Sequence, residues 1–428
     1  MIRYLVRRDD NEPSRGAHIL EAGDNLKTGE SDVELSFGDV SSLEADLLLL
    51  ASSIFSADRA TARGEREDFQ RNIELRIPVV NLAQLLPLVP DVEEILRLLS
   101  QDGWTINLRQ APGEAEKGTA RGPTLGTTLL FSGGLDSLAA AVEYGRDTET
   151  LELVSHRTRN SATISTQNDL AALLTDRGFN VSHRHFFVSS TARGPSDLEH
   201  AVENTQRTRS FVFLVLGAIV ARRTGNHNLV YLAENGQMAI HLPLTTARIG
   251  AFSTHTAHPD VLMAMERFLS VALSIPLRLI NPYVLKTKRE VVDVVQRHLP
   301  EAIPLASSCW RNAHLPAGTT HCGACIPCYV RRIAIEYSGP DATRYARDLW
   351  AEVIAELPSD DDGRRNFADL AEFIMRFETS TNEELVSEFP ELISDSFDAF
   401  EVIEMYRRFA GEARAVLGRY PATAPFLS

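Results

Sequence analysis

Residues 127–143 read TTLLFSGGLDSLAAAVE, and the order of their residue types fixes the expected architecture. Thr127 to Phe131 is an apolar run of strand composition, Ser132-Gly133-Gly134 interrupts it, and Leu138 to Glu143 is a run of good helix formers. Strand, glycine turn and helix in that order bring backbone amides and a helix N-terminus to one point, which is an anion site. Gly133 and Gly134 let the backbone approach a phosphate closely, and Ser132 and Ser137 add hydroxyl donors. Asp136 is the unusual member, because a carboxylate beside phosphate is repulsive; it is expected to cap the helix and to contact a magnesium ion indirectly. No G-x-x-x-x-G-K-[ST] loop is present, so Walker-type γ-phosphate chemistry is not indicated.

Outward from this stretch the apolar pattern alternates between strand and helix. Leu151 to Ser155, Val181 to Val188 and Leu229 to Ala233 read as strands, and the apolar run Phe211 to Ala221 as a buried helix. Such alternation predicts an α/β fold with a doubly wound parallel sheet. Gln110 to Pro123 lacks periodicity and reads as a linker, which sets residues 1–118 apart as a small α+β domain. Within it, Ile73 to Val80 and Thr105 to Leu108 are expected strands and Val92 to Leu99 a helix. Residues 119–333 then form the catalytic domain. Residues 334–428 form a helical C-terminal extension with acidic faces and a break at Leu357 to Gly363. Glu336 to Arg419 holds 20 acidic and 9 basic residues, so it carries -11 of the net charge of -15 and leaves the rest nearer neutral.

That overall charge argues against a general affinity for nucleic acid, which depends on Lys and Arg releasing counterions. The N-terminal MIRYLVRRDDNEP lacks a signal-peptide run, and Phe211 to Ala221 is too short to span a bilayer. The four cysteines follow the pattern Cys309-x12-Cys322-x2-Cys325-x2-Cys328, which suits a reducing cytoplasm and a metal site better than disulfides. Four thiolates favour tetrahedral zinc, with an iron-sulfur cluster as the rival. His314 and His321 lie nearby and are expected at the surface or behind the ligands. With all four thiols on metal, none remains for a glutaminase nucleophile or a persulfide carrier.

Glycine loop and cysteine knuckle together resemble the PP-loop superfamily and, within it, the QueC family of 7-cyano-7-deazaguanine (preQ0) synthases, over about Thr127 to Ile333. Arg209-Ser210-Phe211-Val212-Phe213-Leu214 is similar to that family's Arg-Asn-led helix. Asn281-Pro282 with Lys288 and Glu290 is similar to its Pro…Lys-x-Glu segment, and Cys309-Trp310 to its Cys-aromatic pair. The resemblance implies that ATP is split between its α and β phosphates while the loop holds the departing pyrophosphate. In that family the carboxylate of 7-carboxy-7-deazaguanine is adenylated, ammonia displaces AMP, and a second adenylation permits dehydration to the nitrile. It implies ATP, Mg2+ and Zn2+ as cofactors, with zinc on Cys309, Cys322, Cys325 and Cys328. Phe131, Ser132, Gly133, Gly134, Leu135, Asp136 and Ser137, with Ser155 and Arg209, would bind nucleotide. Ser132, Asp136, Ser137 and Lys288 would carry the chemistry, Lys288 by neutralising phosphate charge. Arg209 would contact nucleotide or carboxylate, with helix-end packing as its alternative. Asp260, in His258-Pro259-Asp260, would read the guanine-type edge.

The sequence also departs from that family. Ser155-His156-Arg157 replaces its Tyr-Gly-Gln, the first cysteine spacing is longer, and the N-terminal region and acidic tail are additions. Enlarged chains of this kind resemble the QueC-like component of bacterial antiphage systems, notably QatC of the Qat system. That resemblance implies transfer of the activated deazaguanine to an amine of a partner protein, with residues before about Pro123 or the tail as docking surface. Plain preQ0 synthesis with ammonia and a non-catalytic nucleotide-sensing scaffold stand as alternatives. A tRNA-modifying thiolase is disfavoured by the acidic charge and the lack of spare cysteines.

Overall fold

A computed structural model describes residues 1–8, 12–63, 70–115, 126–146, 149–157, 160–191, 203, 205–224, 228–245, 256–311 and 315–427. The chain opens with β1 (Ile2–Arg7), β2 (His18–Glu21), β3 (Leu26–Thr28), α1 (Glu30–Phe37) and α2 (Ser42–Ala60). Next come β4 (Asn72–Val79), α3 (Leu82–Leu85), α4 (Val89–Ser100) and β5 (Gly103–Gln110). Four of these strands form a sheet in the order β2-β1-β4-β5, and every pairing is parallel. Parallel neighbours require crossovers, which α2 and α4 supply. The N-terminal region, expected as a small mixed α+β domain, therefore carries an all-parallel sheet and is α/β in character.

Nor does this region stand apart. Helix α2 begins at a capping box, Ser41 with Glu44, and is buried on nearly every face, as its run LLLLASSIFS requires. Its buried carboxylates each find a partner. Glu44 accepts from Arg223 Nε at 2.7 Å, Asp46 accepts from the Asn81 backbone N–H at 2.7 Å, and Asp58 accepts from the Thr208 backbone N–H at 3.1 Å. Apolar residues of α2 and β4 share one core with those of the long helix that follows residue 208.

The second sheet contains β6 (Gly126–Leu130), β7 (Thr150–Arg157), β8 (Val181–Ser190), β9 (Leu229–Tyr231) and β10 (Arg278–Ile280). The order is β10-β9-β6-β7-β8-β3, parallel except for β3, which runs antiparallel along β8 from Leu26 opposite Ser190 to Thr28 opposite Val188. Its helices are α5 (Leu135–Tyr144), α6 (Ser161–Asp176), α7 (Arg209–Thr224), α8 (Gly236–Ile240), α9 (Pro259–Leu273), α10 (Lys288–His298) and α11 (Ile326–Ser338). Period-two alternation sends Leu129 and Leu153 to the core under α5, α6 and α10, and Leu130 and Val154 to the core under α7 and α9. From β6 the chain moves through β7 and β8 on one side, and then returns to β9 and β10 on the other. The crevice between β6 and β9 is the switch point where ligands of such sheets bind.

The tail adds α12 (Asp362–Thr379), α13 (Asn382–Glu388) and α14 (Ala399–Leu417), and Asp361 caps α12 at the expected break. Phe373, Phe377, Phe389 and Tyr406 meet ring to ring in a core that also contains all four cysteines. The expected 333/334 boundary falls within α11. Of the expected linker, Gln110 belongs to β5, and residues 116–123, with the 118/119 boundary, lie outside the described residues. Among the described residues no helix is long and apolar enough to cross a membrane. Because the chain beyond Gly339 supplies every aromatic ring of this core except Tyr329, a chain ending at Gly339 should lose cooperative unfolding and metal retention together. Phe373→Ala should lower stability by about 3–5 kcal/mol in a denaturant titration.

Candidate active site and metal centre

Past Leu130 the chain turns sharply, with Gly133 at φ 82°. A Cβ there would meet Gln167 Cγ and Thr166 Cγ2 at 3.2 Å, while Gln167 donates Nε2–H to the Ser132 carbonyl at 3.3 Å. The loop is therefore held from outside by α6. Gly134 is the N-cap of α5 and has no side-chain cap, so the first-turn amides of the helix face outward with their share of the helix dipole. Exposed Ser132 and buried Ser137 place their hydroxyl oxygens 3.2 Å apart, and Ser137 donates to the Gly134 carbonyl at 3.1 Å. Backbone donors and hydroxyls thus converge as the loop sequence requires.

Asp136 does not cap the helix. Its Oδ2 accepts from Lys288 Nζ at 2.8 Å and from Asn235 Nδ2 at 3.0 Å. Lys288 is the first residue of α10, buried, and an unfavourable charge for a helix N-terminus unless an anion answers it. Asp136 is that anion, so one ion pair joins the loop after β6 to α10 across the crevice. The Lys288 backbone N–H is in turn fixed by Gln237 Oε1 at 3.0 Å. A cavity of about 160 Å³ opens here, bounded by Ser132 and Asp136 on the loop, Glu234 and Asn235 after β9, Lys288, and half-exposed Trp310.

Glu234 escaped the sequence reading. It follows the apolar strand Leu229 to Ala233 directly, at the carboxyl end of a parallel strand, and that position was the available signal. Its Oε2 is shielded from solvent without a hydrogen bond in the described structure. Burial first, and then the Asp136 carboxylate, push its carboxyl up to about 8.

Other expected ligand residues lie off the cavity. Phe131 is fully buried, and Ser155 donates its hydroxyl to the Phe131 carbonyl at 2.6 Å while meeting His183 Nε2 at 2.8 Å. Ser155 therefore positions the loop instead of facing a ligand. Arg209 starts α7, and its Nε donates to His156 Nδ1 at 3.2 Å, while His156 Nε2–H donates to the Val188 carbonyl at 2.8 Å. Burial, followed by the Arg209 charge, lowers His156 to about 3, so the ring is neutral and its tautomer is set by these two bonds. Asp260 is committed to the tail: Ser394 donates to it at 2.8 Å and Ser396 also donates, so it does not line the cavity.

Cys309, Cys322, Cys325 and Cys328 are buried free thiols, and their sulfurs all lie within 4.8 Å of one another. Four sulfurs that close surround one tetrahedral ion; ligands on separate irons of a cluster stand farther apart. Backbone N–H groups of Arg311 and Cys322 point at Cys309 Sγ at 3.3 and 3.4 Å, as thiolates require. The thiols sort by mutual hydrogen bonding, which holds Cys322 far below the ordinary thiol range and pushes Cys325 and Cys328 above it. Gly323, at φ 73°, is obligatory, since a Cβ would lie 2.0 Å from the Arg347 carbonyl. His321 is buried behind the ligands and accepts the Ser308 backbone N–H at 3.1 Å; His314 lies outside the described residues. Ser307, Ser308 and Trp310 make the knuckle a wall of the loop cavity.

Residues 127–339, from β6 to the end of α11, match the family described as QueC: Queuosine biosynthesis protein QueC. This stretch is similar to that PP-loop family, whose members use ATP and carry a zinc site. No curated protein matches the chain.

Metal analysis of the purified chain should find about one zinc, and Cys325→Ser should lower stability, because a four-thiolate site leaves no open position for substrate. Iron with sulfide would contradict this. Glu234 gives a second measurement. A carboxyl raised from 4.5 to about 8 on folding contributes stability that is full below the lower value and lost as pH rises through the upper one. Glu234→Gln should therefore match the parent near pH 5 and exceed it near pH 9, by on the order of a few kcal/mol in chemical denaturation.

Proposed function

We propose, taking the QueC-like PP-loop unit of residues 127–339 as premise, that this chain uses ATP to adenylate a 7-deazaguanine carboxylate and conjugates it to an amine of a partner protein, in bacterial antiphage defence. The observation that carries the adenylation step is the uncapped N-terminus of α5, joined through Asp136 to Lys288 over a shared cavity. Amides of the loop and the Ser132 and Ser137 hydroxyls bind the departing pyrophosphate. Lys288 offsets the charge that builds between the α and β phosphates, and Asp136 keeps its ammonium in place beforehand. Magnesium on the nucleotide would supply the remaining countercharge, and Asp136 Oδ1, buried and without a hydrogen bond in the described structure, is the carboxylate oxygen that could contact it through water. Zinc on the four cysteines would hold the Ser307–Trp310 wall of the cavity.

Access to the cavity supports a protein amine as acceptor. Trp310 stands half exposed at the rim of an open cavity, and Met263, Ile393 and Phe400 are large apolar side chains exposed on α9 and the tail. A polypeptide end needs both an opening and a docking surface. A second reading, nitrile synthesis with ammonia, draws on the packing instead: α2 and the tail share cores with the catalytic unit, which accounts for the added chain as support.

Intact-mass measurement of candidate partners, with ATP and 7-carboxy-7-deazaguanine, distinguishes these readings. A covalent adduct on a partner is the expected result, and conversion to nitrile with ammonia alone favours the second. Asp136→Ala, or Ser132 and Ser137 both to Ala, should cut pyrophosphate release by at least about a hundredfold in a folded chain, on the order of a few kcal/mol in the transition state. Near-normal turnover would remove this loop from the chemistry.

A further inference from the structure

Pyrophosphate binding accounts for Ser132, Ser137, Asp136 and Lys288, but leaves one acid in the same cavity without a task. Glu234 is presented on a fixed backbone, because Asn281 Oδ1 accepts its N–H at 3.2 Å and Asn281 Nδ2 donates to its carbonyl at 2.8 Å. Asn281 lies just beyond β10, so the acid is pinned from the sheet edge inward. The carboxyl oxygen Oε2 is sealed from bulk water and hydrogen-bonded to nothing in the described structure. The charged groups that face it are Asp136 from α5 and Lys288 from α10, and the Lys288 ammonium is already engaged by Asp136 at 2.8 Å. Glu234 is therefore neither a salt-bridge partner nor a cap. It stands after β9, next to β6 in the sheet, and lines the same cavity as the phosphate loop.

We propose that Glu234 accepts the proton that the attacking amine must lose, so that it acts in the amide-forming half of the reaction and not in the adenylation half. The inference rests on the function proposed above. The amine arrives as an ammonium, and the Glu234 carboxylate takes one N–H proton. The freed nitrogen lone pair attacks the acyl carbon and the C–N bond forms. The acyl C–O bond to AMP breaks with its electron pair going to the phosphate oxygen, and the second N–H proton leaves to solvent. Acyl-adenylate and ammonium thus give amide, AMP and two protons. A carboxyl lifted to about 8 has a conjugate base strong enough to compete for an ammonium proton.

The test compares the full-length parent with Glu234→Gln in three reactions on 7-carboxy-7-deazaguanine. ATP–pyrophosphate exchange reports adenylation. Hydroxamate formation reports attack by hydroxylamine, which is largely uncharged at neutral pH and needs no base. Amide formation reports attack by ammonia, which is largely ammonium at that pH. Glu234→Gln is expected to keep the first two within about threefold and to lower the third by about 10² to 10³, with a deficit that narrows as pH rises and free ammonia accumulates. Equal losses in all three would make Glu234 a binding residue and overturn the proposal, as would an unchanged ammonia rate. Absence of exchange in the parent itself would overturn the functional reading and this inference together. If Glu234→Gln does not fold, Glu234→Asp serves instead: its shortened reach should lower the ammonia rate about tenfold with exchange intact, and loss of exchange in that variant overturns the proposal.

Discussion

Burial of α2 on nearly every face is the constraint on which the rest of this chain depends. A helix without a solvent face cannot leave its carboxylates unpaired, since each buried charge is costly until a partner answers it. Glu44, Asp46 and Asp58 find theirs in three different places: α7, the turn after β4, and the segment leading into α7. Arg71, itself buried, binds both Asp58 and Asp102 and so extends the same network towards β5. These bonds tie α2 to both the N-terminal region and the segment around α7. The position of α7, and through Leu130 that of β6, follows from them.

From that fixed sheet the site follows with few further assumptions. Strand order reverses between β6 and β9, so the loops that leave their carboxyl ends diverge and open a crevice. One loop ends at an uncapped helix, and the other delivers Glu234 and Asn235. The Lys288 ammonium spans the opening because its own helix cannot tolerate it without Asp136. The cavity consequently gathers a cation, backbone donors and a proton-holding acid around one opening.

What could be read from the sequence was local. The glycine loop, the four cysteines and the buried α7 each declare themselves within about twenty residues, through glycine placement, metal-ligand spacing and apolar density. Contacts over long sequence distances were not legible. Asp136 was expected to cap its own helix, but its partner lies 152 residues away. The parallel register of the N-terminal sheet depends on crossovers whose faces are set by α7, so periodicity alone suggested an independent α+β unit. Asp260 drew attention by its sequence neighbours, yet Ser394 and Ser396, more than a hundred residues later, occupy its carboxylate. Glu234 carried only a positional signal, the first residue past an apolar strand.

Gly236 has a consequence for how such a chain can change. A Cβ at this position would lie 2.5 Å from the Val284 carbonyl and 2.7 Å from Met405 Cε, and Met405 belongs to α14. The turn that carries Glu234 is therefore moulded against a side chain some 170 positions downstream. The tail is not a detachable cassette. Grafting it from a distant relative would import a foreign surface directly beneath the acid, and positions 236 and 405 must drift as a pair if either drifts at all.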